Sequence, residues 1–205
     1  MTRVDVVVFD GVDDLDVVAP FEVLTMARRL GTAVSVHVVA LDGRPTVTTQ
    51  GGLRLGTTAG WSPGDADVVL VPGGGYTSAE STGVRAELRS GRLPAALRDA
   101  ARPGLVVASV CTGAMLLGAA GLLRGRPCTT HHRAVADLES AGGKYVAARV
   151  VDDGDLVSAG GVTSGLDLAL RLVERYAGAA TAATVERALE YERRGTVWHE
   201  RKDGQ

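Results

Sequence analysis

The chain has 205 residues, 45% of them hydrophobic and 22% charged, a composition that excludes intrinsic disorder and a low-complexity fibre. At roughly 100–200 residues per domain, the length predicts one domain over residues 1–195 with a short tail at 196–205. The net charge of −2 and the scattered basic residues lack the electrostatic footprint of a nucleic-acid binder, and no apolar run approaches the roughly 20 residues that span a bilayer. Neither nucleic acid nor a membrane is expected as a partner. The N-terminus shows no basic, apolar and small-residue succession of a secretory signal, which predicts a cytoplasmic location. Cys111 and Cys128 are the two cysteines, too few for a disulfide framework and without zinc-site spacing.

Short β-branched runs alternate with segments of helical period, the signature of βαβ units around a parallel sheet. The pattern predicts a first strand over Val4–Phe9, a turn at Asp10-Gly11, an acidic loop through Asp16, and a helix opened by Pro20 and ended by Gly31. A second strand follows over Val34–Leu41, then a peripheral hairpin of Thr46–Thr49 with Leu53–Leu55. Asp67–Val71 reads as a buried strand running into Pro72-Gly73-Gly74-Gly75, and a helix from about Thr82 to Ala101 is expected to break near Gly91 and Pro94. Leu105–Val110, the most apolar run, suits a central parallel strand covered on both faces, and it ends at Cys111. Next come a buried helix over Gly113–Leu123, a short strand at Thr129-Thr130 and a helix over His132–Ala141. Arg149–Val151 and Leu156–Ala159 read as a second hairpin, helices over Thr163–Ala177 and Ala180–Arg193 follow, and the tail from Gly195 is expected to be loosely held. The fold class is α/β, a mostly parallel sheet flanked by helices with peripheral β-hairpins.

Ala108-Ser109-Val110-Cys111-Thr112-Gly113-Ala114 carries the most chemistry: a strand, a thiol, then small residues opening a helix. A nucleophile in such a turn stands above the carboxyl edge of the sheet, where ligands of open α/β folds bind. Unpaired N–H groups at the helix start are expected to lower the thiol pKa, and Gly113 to permit close backbone approach. The competing reading is an inert core cysteine. Gly73, Gly74 and Gly75 end the neighbouring strand, where their N–H groups could form an oxyanion hole, unless the turn is an ordinary loop. Among Asp10, Asp13, Asp14 and Asp16, most read as a solvated acidic loop; Asp16, boxed by Leu15, Val17 and Val18, is the candidate for burial and a neutral carboxyl. His131 could face the cleft as a base or orienting group, or be a surface or core histidine.

Taken together, Ser109-Val110-Cys111-Thr112-Gly113, Pro72-Gly73-Gly74, Leu15-Asp16-Val17-Val18-Ala19-Pro20, Gly121-Leu122-Leu123-Arg124-Gly125 and Thr129-Thr130-His131 resemble the ThiJ/PfpI superfamily, whose fold is flavodoxin-like and of the class I glutamine amidotransferase type. The resemblance spans about residues 4 to 190. The Leu-Asp-x-x-x-Pro motif, Cys-Thr-Gly, and Gly160-Gly161-Val162-Thr163-Ser164-Gly165-Leu166-Asp167 are most similar to the isonitrile hydratase branch and to sensor domains fused to AraC-type regulators. With no helix-turn-helix after residue 195, the regulator reading is not expected.

The resemblance implies that Cys111 attacks the terminal carbon of an isocyanide and that Asp16 supplies or shuttles the proton. Thr112 and Gly74 would shape the pocket near the sulfur, and Val162 would lie on the loop facing it. It further implies a cofactor-independent lyase without a metal, a small-molecule substrate and a homodimer. His131 matches the superfamily histidine of the deglycase branch, which usually carries glutamate where Asp16 stands. A glyoxalase or deglycase acting on reactive carbonyls is the second reading, and a non-catalytic small-molecule or redox sensor the third.

Overall fold

The computed structural model describes residues 1–76 and 82–199. The strands are β1 (Thr2–Val7), β2 (Val34–Ala40), β3 (Thr46–Thr48), β4 (Arg54–Gly56), β5 (Ala59–Gly60), β6 (Val68–Val71), β7 (Val106–Val110), β8 (Pro127–Cys128), β9 (Lys144–Tyr145), β10 (Val150–Asp152), β11 (Leu156–Ala159) and β12 (Trp198–His199). The α-helices are α1 (Asp14–Arg29), α2 (Val84–Ser90), α3 (Arg92–Ala100), α4 (Gly113–Ala119), α5 (Val135–Ser140), α6 (Ser164–Ala177) and α7 (Ala179–Ala188).

Eight strands form one sheet in the order β12-β10-β11-β7-β6-β1-β2-β5, parallel throughout except for the β10–β11 pair. Every residue of β6 and β7 is buried, as a strand covered on both faces requires. Helices α1, α6 and α7 pack on one another, and α2, α3, α4 and α5 form a second group; both groups contact the sheet. This is the mostly parallel α/β architecture that the alternation of strand and helix runs implies. Among the described residues, no helix is long and apolar enough to cross a membrane.

Several boundaries differ from the sequence reading for identifiable reasons. Helix α1 opens at Asp14, because the Asp13 carboxylate caps it by accepting from the Leu15 and Asp16 N–H groups at 3.1 and 3.4 Å. Pro20 therefore lies inside the helix, with its ring 3.4 Å from where a side chain on Gly165 of α6 would begin. The acidic loop is not merely solvated. Asp10 accepts from Thr48 N at 2.8 Å, and Asp14 accepts from Thr49 Oγ1 and Gly51 N at 2.5 and 2.9 Å. The β3–β4 hairpin is peripheral to the main sheet, as expected, and those bonds fasten it to the acidic loop.

The helix expected over Thr82–Ala101 divides at Gly91, one of the two breaks expected there, where a φ of 68° ends α2; Pro94 lies within α3 and does not break it. Helix α4 stops at Ala119, two residues before Gly121 turns the chain at φ 82°. The short strand falls on Pro127–Cys128, which pairs with β9, and not on Thr129-Thr130. The second hairpin is no appendage, since β11 pairs in parallel with β7 at the centre of the sheet. Part of the expected loose tail, Trp198–His199, adds an edge strand beside β10.

Candidate active site

Strand β7 delivers Cys111 to the carboxyl edge between β6 and β11, and the chain reverses there into α4. Cys111 has φ 57°, a left-handed conformation that costs a side-chain-bearing residue on the order of 1–3 kcal/mol and persists only where its surroundings over-determine it. The determinants are visible. Cys111 N donates to Ala159 O and Gly160 O at 3.1 and 2.9 Å, and Cys111 O accepts from Thr130 Oγ1 at 2.8 Å. The close approach expected at Gly113 is extreme: a Cβ there would lie 2.1 Å from Val71 O. The strand-to-helix elbow thus has the geometry that the small residues after the thiol suggested.

Asp16, in the first turn of α1, is completely buried. Its Oδ2 accepts from Gly73 N at 2.9 Å, while Oδ1 has no hydrogen-bond partner among the described residues. Burial and then the Asp13 charge push its pKa up to about 8, against the smaller opposing pull of the Gly73 N–H and the Cys111 thiol. The thiol and carboxyl are therefore neighbours, although the contact stops short of a complete hydrogen bond. At neutral pH the Asp16 carboxyl holds its proton.

The expected depression of the Cys111 pKa is corrected. Cys111 is 7% exposed, and burial together with the neighbouring Asp16 pushes its thiol up to about 12. The backbone N–H groups of Val162 and Thr112 act in the opposite sense, favouring thiolate, but they do not outweigh burial. Free of substrate, the site stores its proton on both groups, and the sulfur becomes a nucleophile only as that proton moves.

The glycine turn also behaves differently from a free oxyanion hole. Gly73 N is taken by Asp16 Oδ2, Gly74 N donates to Thr112 Oγ1 at 3.2 Å, and Gly75 N donates to Gln50 Oε1 at 2.9 Å. All three donors are used in holding the wall of the site together. A Cβ on Gly73 would lie 2.6 Å from Thr112 Oγ1 and 2.9 Å from Asp16 Oδ2, so glycine is what lets the strand β6 turn touch both residues. The donors that face the sulfur are those of Val162 and Thr112. Residues 77–80 and Ser81, expected to set pocket size beyond Gly75, lie outside the described residues.

Val162, placed on the loop opposite the thiol, has φ 45°, a strained value for a β-branched residue. It lines a cleft of about 410 Å³ with Thr130, His131, Arg149 and Gly161. The His131 ring packs so closely on Gly161 that a Cβ there would meet its Cδ2 at 2.5 Å. Its Nδ1 accepts from Arg133 N at 3.2 Å, and burial with the adjacent His132 and Arg133 charges lowers its pKa. Among the described residues it forms no hydrogen bond with Cys111 or Asp16, so it borders the site without joining the thiol–carboxyl pair. Cys128 sits apart, fully buried on β8 beside Gly143, with burial pushing its thiol up to about 11.

Among the described residues no three His, Cys, Asp or Glu side chains converge as a metal site would. Two supports escaped the sequence reading. Thr130 was quoted within a motif, yet its bond to the Cys111 carbonyl depends on the fold. Gln50 carried no signal, because it reaches Gly75 from a hairpin 25 residues away.

Comparison with known proteins bears on this arrangement. The model of the DJ-1/PfpI family matches residues 2–175. An isonitrile hydratase of Pseudomonas putida is 37% identical over 190 residues, covering 92% of this chain and 78% of the relative. The Parkinson disease protein 7 homolog of Danio rerio is 32% identical over 196 residues, covering 91% and 96% respectively. Among solved structures, a ThiJ/PfpI family protein from Pseudomonas syringae superposes with a TM-score of 0.81 at 28% identity, covering 95% of this chain and 76% of that one. With its elbow cysteine, buried aspartate and parallel sheet in this order, the chain belongs to the DJ-1/PfpI family.

Proposed function

We propose that this protein is an isonitrile hydratase, converting an isocyanide and water to an N-substituted formamide, with Cys111 as nucleophile and Asp16 as the group that moves the proton. The observation that carries the reading is the buried Asp16 carboxyl, protonated up to about pH 8, beside the elbow thiol. The 37% identity to an isonitrile hydratase supports the same choice of substrate.

An isocyanide carbon accepts a nucleophile and a proton at the same atom. Asp16 gives its proton to that carbon and takes the thiol proton as the S–C bond forms, so a thioimidate results with no net charge created in the apolar site. The Val162 and Thr112 N–H groups stabilise negative charge on sulfur while it exists. Water then adds to the thioimidate carbon, with Asp16 relaying its proton to the imine nitrogen. As the C–S bond breaks, the hydroxyl oxygen of the adduct becomes the formyl carbonyl and its proton passes, through Asp16, to the departing sulfur, which returns the thiol and releases the formamide. Gly73 and Thr112 act as spacers, holding Asp16 and the glycine turn against the elbow.

The test is formamide production from a simple alkyl isocyanide by the purified protein, with Cys111→Ala as the blank. Turnover by the wild type and none by the variant is expected. Wild-type turnover no faster than the blank, with Cys111 reduced and the protein folded, would overturn the reading; thiol-dependent loss of methylglyoxal in the same samples would replace it with carbonyl chemistry.

A further inference from the structure

The loop Gly160–Thr163 brings the strained Val162 to the sulfur, and its restraints converge on one side chain outside the thiol–carboxyl pair. Arg149 lies just before β10. Its carbonyl accepts from Gly160 N at 3.0 Å, at the start of the loop. Its guanidinium donates to Thr163 Oγ1 at 3.2 Å, at the loop's end, and to Asp167 Oδ2 from Nε at 2.8 Å. Gly160 O in turn accepts from Cys111 N at 2.9 Å, so the bonds run from Arg149 to the backbone of the nucleophile.

Asp167 is itself immobilised. It is 2% exposed, accepts from Tyr191 Oη at 3.2 Å and from Arg194 N at 3.0 Å, and stands in the first turn of α6. A planar guanidinium with a fixed fork of donors can grip a carboxylate and a hydroxyl at once, which a lysine cannot do. A β-branched residue in the left-handed region relaxes unless both flanks are held.

We propose that Arg149 is a positioning residue that clamps both ends of the Gly160–Thr163 loop and so keeps the Val162 N–H directed at the Cys111 sulfur. The proposal rests on Cys111 as the nucleophile of the reading above, but not on the identity of its substrate. Arg149 acts through Val162 and need not touch the reactant.

The test is the rate of Cys111 alkylation by iodoacetamide between pH 6 and pH 11, resolved from Cys128 by peptide mass, in the full-length protein. Arg149→Met is compared with Arg171→Met, which removes a similarly shielded arginine of α6 that pairs with Asp152 and Glu174 and, among the described residues, makes no hydrogen bond to the Gly160–Thr163 loop. The charged groups acting on Cys111 are Asp16 of α1 and Asp13, which caps that helix, and both variants leave them intact. Arg149→Met is expected to move the alkylation profile to higher pH and to slow labelling about threefold to tenfold at fixed pH, since each unit of thiol pKa is a tenfold change in thiolate. Arg149→Lys should fall between Arg149→Met and wild type, and Arg171→Met should label like wild type.

An unchanged or lower-pH profile in Arg149→Met would overturn the proposal and leave Arg149 a purely structural residue. Should Arg149→Met fail to fold, Thr163→Val removes only the hydroxyl end of the clamp and must shift the profile in the same direction; no shift overturns the proposal equally. Formamide assays on the wild type judge the hydratase reading separately, because the labelling comparison uses no isocyanide.

Discussion

Asp16 and Asp167 are both aspartates in the first turn of a helix leaving the carboxyl edge of the sheet, and both are buried, at 0% and 2% exposure. Their surroundings are opposite. Asp167 receives a guanidinium, a phenol and a backbone N–H, which satisfies it as an anchor between β10, α6 and the C-terminal segment. Among the described residues Asp16 receives one backbone N–H and no side-chain cation, its Oδ1 is unpartnered, and the Cys111 thiol is its neighbour. Burial alone does not make a carboxylate chemical. A fully paired carboxylate is structural, whereas one left short of partners holds a proton it can give away.

The two carboxyls should differ most in their effect on turnover, and Asp16 carries the larger one. Asp16→Asn preserves shape but removes the transferable proton, so formamide production should fall by roughly 10²- to 10⁴-fold while the far-UV spectrum is retained. A wild-type rate in that variant would remove Asp16 from the chemistry.

The next effect is on stability against pH. Asp16 titrates near 8 in the folded chain against an ordinary 3.8, so between those values the folded state holds a proton that the unfolded state has released. The wild type should therefore lose stability as pH rises from about 4 to about 8, with a slope of up to about 1.4 kcal/mol per pH unit from this group. Denaturant melts of wild type and Asp16→Asn, taken at pH 5 and pH 8, measure it: the Asn variant should lack this contribution and be the more stable protein at pH 8.

Asp167→Asn should behave in the contrary way. Losing the anion that holds Arg149 should cost about 2 kcal/mol of stability, less than a fully buried pair because Arg149 is 29% exposed. The pH dependence contributed by Asp16 should survive in that variant. The smallest effect is expected at Thr112→Val, which removes the acceptor for Gly74 N and should cost about 1 kcal/mol in the same melts.

Much of this was legible in the chain. The uninterrupted apolar run into Cys111, the small residues behind it and the Pro-Gly-Gly-Gly turn marked two adjacent strand ends and the site between them. Asp16 stood out because it alone among Asp10, Asp13, Asp14 and Asp16 is flanked on both sides by apolar side chains. The acidity of the pair was read less well. A helix N-terminus suggested a lowered thiol pKa, but α4 is seven residues long and the sulfur is buried beside a carboxyl, so desolvation dominates. Likewise the glycine donors seemed free in one dimension and are occupied in three.

What the sequence determined by itself is whatever depends on neighbours along the chain. Periodicity marked most of the strands and helices, a thiol followed by glycine marked the elbow, and the ordered set of motifs marked the family. What only the tertiary structure decided is whatever depends on partners distant in the chain: Gln50 on Gly75, Thr130 on the Cys111 carbonyl, and Arg149 at both ends of the Val162 loop. Protonation belongs to that second class. A pKa is set by solvent exclusion and by charges brought within a few ångströms, and neither exists until the sheet has brought β1, β6, β7 and β11 to one edge.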